Sequence, residues 1–371
     1  MARGSAAKSR AGEENELLRQ RSAVKPLGSH TVVGHLHELG KWKDIPYLRE
    51  NNGMLPPFII AVGSRVRVMK AQSLLKLKDA VMIDEEARGR FGLSCYGRVA
   101  MLVGKMSYRG LDVPLAVVET QMGCSATQIN LKETLYFARH DGYQTDTGGV
   151  KSDAAYVIRA GTCAGVNSFA PSEVRVGIGD ILIATESYGS IGALIQSTMQ
   201  SLNYTGINIA EKADLLRKMI SQYGALRLSH DAQSLATSCS TRLVLRLQEA
   251  ADVMNIRNFV GPNFTKDSLY AEIGEDGFAM LRDTYGIMST EMEEPVIDVL
   301  AGEFRKAGVP VYSALISAAI GAIPGKSFAE TPQEKKMAAD AESNAVKIAA
   351  RALCNVALSI HKSGIREGPS R

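Results

Sequence analysis

The chain has 371 residues, 45% of them hydrophobic and 22% charged, an ordinary globular composition with length enough for one large core. Its net charge of +4 is too small to indicate nucleic acid or a membrane surface as partner, and no run of 18 apolar residues is present to span a bilayer. Five scattered cysteines without a C-x-x-C pair read as free thiols in a reducing compartment. The N-terminus lacks the apolar stretch of a secretion signal and the ending GPSR is no peroxisomal address, so a cytoplasmic protein is expected.

Residues 1–30 are polar and charged and read as a disordered arm. From about residue 55, short β-branched runs alternate with amphipathic stretches. Strands are expected at 57–62, 99–104, 114–120, 154–161 and 180–186, and a helix at Ser125–His140. The polar loop 140–153 and the mostly helical stretch 187–257 break the rhythm and read as inserted segments. Val296, Val299, Leu300 and Phe304 share one helical face, and a strand follows at 309–319. Thr331-Pro332-Gln333-Glu334 is a capping box with proline at the first helical position, opening an alanine-rich C-terminal helix. Residues 363–371 read as a flexible tail. Alternation of this kind predicts one α/β domain over 31–362, with a mostly parallel sheet between helices.

Three places hold residues suited to chemistry. Gly63-Ser64-Arg65-Val66-Arg67 follows an apolar strand and opens a helix, where backbone N–H groups and an arginine fork can meet an anion. An ordinary turn with two solvated arginines fits the same letters. Arg159 ends an apolar strand and precedes the small residues Ala160 to Gly165, at the end of a parallel strand where α/β sheets bind ligands. A structural ion pair is the alternative there. Glu291-Met292-Glu293 precedes a helix, where acids are favoured by the dipole alone.

In this order the segments IIAVGSRVRV, RVAML, VIRAGTCAGV with VGIGDILIAT, GPNFTKDSLY and YGIMSTEMEEPVIDVLAGEFRKAGV resemble the nucleoside phosphorylase superfamily. That superfamily includes uridine phosphorylases and the hexameric type of purine nucleoside phosphorylase. The resemblance runs from about residue 35 to 358. It implies a three-layer α/β/α sandwich around a distorted, mostly parallel mixed sheet. By the same resemblance Gly63, Arg67, Arg159 and Thr162 fall on the phosphate site, with Arg98 reaching it from a neighbouring subunit. Met292 and Glu293, with Glu291 before them, match ribose contacts. His37 (or its competitor His35) matches a histidine that meets the sugar from the other subunit. Cys163, Ala164, Leu269 and Tyr270 fall beside the base.

The implied reaction is phosphorolysis of a ribonucleoside, with inorganic phosphate as co-substrate, no cofactor, and a homodimer sharing its sites. The side chains with which some members hold a cation are not found, so no metal is expected. The base-reading devices depart from the family. Purine-specific members place an aspartate after serine in the late strand. Here the strand reads Leu315-Ile316-Ser317-Ala318-Ala319-Ile320, with Ala319 at the matching position. The Gln-x-Arg of uridine phosphorylases is replaced by Ala271-Glu272-Ile273-Gly274-Glu275. The missing acid tilts the expectation towards uridine. A hydrolase of the same superfamily needs no phosphate cage, so the retained arginines argue against it. A weakly catalytic binding paralogue is the alternative from another class.

Overall fold

Phe58–Val62, the first strand (β1), shows how the sheet is built. Phe58, Ile60 and Val62 join one apolar cluster, while Ile59 and Ala61 join another on the opposite face. A run apolar at every position can only be a strand covered on both sides. The computed structural model of the chain describes residues 55–84, 99–137, 152, 154–168, 175–189, 236–266, 275–306, 310–325 and 328–366. The arm 1–30, most of the 140–153 loop, residues 190–235 and the expected site residues His37, Arg98, Leu269 and Tyr270 lie outside them.

After β1 come α1 (Arg65–Leu75), β2 (Lys78–Ile83), β3 (Met101–Tyr108), β4 (Leu111–Glu119), α2 (Cys124–Phe137) and β5 (Ala155–Val166). They are followed by β6 (Ile181–Gly189), β7 (Ala236–Ser238), α3 (Thr241–Val253), β8 (Asn258–Thr265) and α4 (Glu275–Tyr285). The series closes with β9 (Ser289–Glu291), α5 (Glu294–Lys306), β10 (Val311–Ile323) and α6 (Pro332–Arg366). The strands form one sheet in the order β10-β6-β8-β9-β5-β1-β4-β3-β2, with β7 beside β6. β10 also pairs with β5, so β5, β10, β6, β8 and β9 close into a ring that leaves none of its five strands as a free edge.

Three expectations are corrected. Among the described residues, five strand pairings are parallel and five antiparallel, so the sheet is evenly mixed rather than mostly parallel. Two antiparallel pairings arise in the ring, where β6, β8 and β9 run opposite to β5 and β10, and three lie outside it, at β2–β3, β3–β4 and β6–β7. The stretch 187–257 is not wholly an insertion. Residues 187–189 complete β6, and α3 buries Leu243, Val244, Leu247, Ala250 and Ala251 in the main core. The expected tail starts too early as well, because α6 continues to Arg366.

Helices cover both faces. Val68, Ala71 and Leu75 of α1 pack with α3 and α6 on one side. Leu131 and Leu135 of α2 pack with Val296, Ile297, Leu300 and Phe304 of α5 on the other. The alanines of α6, among them Ala345, Ala349 and Ala352, let its backbone approach the sheet closely. Its start is fixed by the capping box: the Thr331 N–H donates to Glu334 Oε2 at 3.0 Å, and the Glu334 N–H donates to Thr331 Oγ1 at 3.2 Å. Thr331→Ala should therefore lose about 1 kcal/mol of stability in urea denaturation; an unchanged midpoint would show that packing alone sets this end.

Candidate active site

The ends of β1, β5, β8, β9 and β10 enclose a cavity of about 330 Å³. Pairing of Val62 with Ala160 brings the turn after β1 beside the second half of β5, and pairing of Ala164 with Thr290 brings β9 to the same place. Gly63, Arg67, Arg159, Thr162, Cys163, Ala164, Glu291, Met292 and Glu293, all singled out in the sequence, line this one cavity.

Arg159 is its central charge. The side chain is 3% exposed and its Nη2 pairs with Glu293 Oε2 at 2.8 Å. Nε and Nη1 are buried and have no hydrogen-bond partner among the described residues. Buried donors left so cost about 1–3 kcal/mol each, more when charged, unless a ligand takes them. Burial pulls the guanidinium pKa down, but Glu293, and then Glu291 and Glu294, outweigh it and raise it, so the charge is kept.

Arg67 enters from α1. Its Nε and Nη2 form a fork on Glu342 of α6 at 3.2 and 3.1 Å, and Nη2 also reaches Thr162 Oγ1 at 3.5 Å. Gly63 lies between the two arginines. A Cβ there would stand 3.2 Å from Arg159 Nη2 and 3.5 Å from Arg67 Nη1. Glu293 fixes Arg159 Nη2, so that nitrogen has no room to yield. Gly63→Ala should weaken phosphate binding roughly tenfold or more, measured by calorimetry, with little change in folding; unaltered affinity would place the anion elsewhere.

The acids divide their work. Glu293 Oε1 accepts from the Gly123 N–H at 2.8 Å, and Oε2 takes Arg159. Burial pushes this carboxyl up, but Arg159 and the Gly123 N–H together hold it below its ordinary value. Glu291 is turned inwards. It accepts from Asn263 Nδ2 at 2.9 Å, from the Glu293 N–H at 2.6 Å, from the Glu294 N–H and from the Thr265 hydroxyl. Burial and the neighbouring Glu293 carboxylate push its carboxyl up. These bonds make it the cap of α5 and the holder of the turn that presents Met292 and Glu293.

Met122, Met292, Ile320, Ile323 and Phe328 supply the apolar part of the lining, beside the polar Ser64, Thr290 and Lys266. Ala319 is fully buried and packs behind the wall with Cys163, Val176 and Leu182. The β10–β5 register shifts between Ala319 and Gly321, and Ile320, at that irregularity, lines the cavity instead. Ala319 itself does not line the cavity. The Cys163 thiol is pushed up, first by burial and then by Glu291, so it stays protonated.

Sequence reasoning missed Lys266, Thr290 and Glu342. Lys266 directly follows β8 at 8% exposure, lines the cavity and lies over the Phe278 ring. Thr290 also lines it, with a buried Oγ1 that has no partner among the described residues. Glu342 had a readable signal: it stands four residues after Ala338 and three before Ala345, on the buried stripe of α6.

No family model matches the chain, and no curated protein matches it in sequence. Solved structures do. Uridine phosphorylase from Vibrio fischeri ES114, complexed with 6-hydroxy-1-naphthoic acid, superposes with a TM-score of 0.53 at 16% identity, over 82% of this chain and 94% of that one. Purine nucleoside phosphorylase from Toxoplasma gondii, in complex with immucillin-H, gives 0.53 at 18% identity, over 82% and 93%. At such identities the likeness is one of architecture, and the chain shares the fold of uridine and purine nucleoside phosphorylases.

Proposed function

We propose that the chain is a nucleoside phosphorylase, a pentosyltransferase that cleaves the N-glycosidic bond of a ribonucleoside with inorganic phosphate. The observation that carries this reading is the buried Arg159, paired on one side with Glu293, with Nε and Nη1 unpartnered among the described residues and its fork beside Gly63 and Arg67. Two converging guanidinium groups suit a tetrahedral oxyanion. Glu293 suits the sugar. A carboxylate has about four acceptor sites; Gly123 and Arg159 take one on each oxygen and Glu291 lies in hydrogen-bonding reach, and the capacity left suits a ribose hydroxyl.

In this mechanism Arg67, Arg159 and Thr162 hold phosphate below the ring. There it stabilises the oxocarbenium-like ribosyl cation and then bonds to C1′, while the base departs with the glycosidic electron pair. Positioning and electrostatics supply most of the rate. The reaction needs no cofactor. Uridine is the favoured substrate: away from Glu291 and Glu293, the described lining offers Ile320, Ile323 and Phe328 and no further acid to protonate a purine. A cytoplasmic homodimer with shared sites, drawing Arg98 and His37 from a neighbouring subunit, belongs to the same proposal; a monomer in sedimentation would remove it.

The test is a panel of uridine, thymidine, inosine, guanosine, adenosine and methylthioadenosine, with and without phosphate, read by chromatography of the free base. Cleavage of uridine only when phosphate is present is expected. Equal release without phosphate would make the chain a hydrolase, and no release at all would make it a binding protein.

A further inference from the structure

Behind the cavity, on the far side of the first turn of α5, lies a second buried cluster that the phosphorylase reading does not use. The Cys239 Sγ and one carboxylate oxygen each of Glu294 and Asp298 all lie within 4.8 Å of one another. The three come from separate places: Cys239 stands between β7 and α3, while Glu294 and Asp298 are one turn apart on α5. Cys239 Sγ is 3.4 Å from Glu294 Oε1, and the Ser313 hydroxyl donates to Asp298 Oδ1 at 2.7 Å. The other two oxygens, Glu294 Oε2 and Asp298 Oδ2, are buried with no hydrogen-bond partner among the described residues. Glu294 is 0% and Asp298 5% exposed.

Such a group needs balancing charge. Burial pushes the Glu294 carboxyl and the Cys239 thiol well above their ordinary values and Asp298 up to about 6. Protons are one solution, since Glu294 and Asp298 lie within hydrogen-bonding reach and can share one. A cation is the other, and two features favour it. The thiol converges on the same carboxylates, whereas a shared proton involves only the two acids. Asp298 is oriented by the Ser313 hydroxyl, the outer support typical of a metal-binding carboxylate.

We propose that Cys239, Glu294 and Asp298 hold a structural divalent transition-metal ion that ties the β7–α3 junction to the start of α5. A thiolate with two carboxylates suits Zn²⁺ and not Mg²⁺ or Ca²⁺, which take oxygen alone. A carboxylate's second oxygen can complete four-coordination. Binding displaces the thiol proton and any proton held between the acids, so three negative ligands meet two positive charges. The expectation of no metal overlooked this group because 55 residues separate Cys239 from Glu294. The proposal is independent of the catalytic reading, and its readout is metal content rather than turnover.

The untagged protein, expressed in minimal medium with Zn²⁺ or with Co²⁺ and purified without chelator, tests it by elemental mass spectrometry and X-ray absorption. One ion per chain is expected, with one sulfur and otherwise oxygen ligands. The Co²⁺ form should show a thiolate-to-metal charge-transfer band that Cys239→Ser abolishes, and Asp298→Asn should lose most of the bound metal while circular dichroism stays unchanged. If these variants fail to fold, the wild-type absorption spectrum still decides. A wild type that binds no stoichiometric metal, or a metal shell without sulfur, overturns the proposal and leaves a shared proton in its place.

Discussion

Arg159→Met is expected to cost about 3–5 kcal/mol of stability, the penalty for leaving a buried carboxylate without its partner. The pair concerned is Arg159–Glu293, at 3% and 6% exposure. One term opposes this. The substitution also removes the buried Nε and Nη1 groups, which have no partner among the described residues, so part of the loss is returned in phosphate-free buffer. The full loss should appear with phosphate present, since a ligand at a hundred times its Kd stabilises the wild type by about 2.7 kcal/mol and the variant not at all. Adding Glu293→Gln to Arg159→Met should recover most of the stability and none of the activity. Urea denaturation of the four proteins, each with and without phosphate, measures all of this. Equal phosphate stabilisation of wild type and Arg159→Met would show that the anion binds elsewhere.

Glu293→Gln should lower kcat/KM by at least about a hundredfold, because two hydrogen bonds to a charged group are weakened at about 1.5–3 kcal/mol each. The amide fits poorly: Gly123 and Arg159 both donate to this position, and one of them must face an NH₂. The diagnostic is selectivity. Wild type should prefer a riboside over its 2′-deoxy counterpart, and the variant should lose most of that preference; retained preference would take the sugar away from Glu293. Acid titration gives a second readout. Burial raises this carboxyl, yet Arg159 and the Gly123 N–H bring it below its ordinary 4.5. The stability it contributes is therefore present above pH 4.5 and lost as pH falls through the lower folded value. Glu293→Gln should flatten that acid limb.

How much of this could be read from the letters depends on range. β1 and β5 were legible because every residue in them is apolar or small except one arginine, and that exception marked the site. β8 was hidden by Gly261-Pro262, letters that ordinarily signal a turn. β2 was hidden by the exposed Lys78 and Asp79 at its start. The irregularity that brings Ile320 to the cavity has no sequence signature, since Ala318, Ala319 and Ile320 are interchangeable in a periodicity argument. Partners far apart in the chain were least legible: the motif order supplied Arg67 and Arg159, but nothing local paired Arg67 with Glu342 or set Cys239 beside Asp298.

The Arg67–Glu342 fork spans 275 residues, and that separation bears on synthesis. A ribosome adds roughly 5–20 residues each second, so α1 waits tens of seconds before the helix that orients its arginine emerges. Until then the turn after β1 has its glycine but not the brace on Arg67, and no nascent intermediate holds the complete anion cage. On the proposed reading, phosphate therefore could not template the early sheet; it would bind in full only to a nearly finished chain, and would report completed folding rather than take part in it.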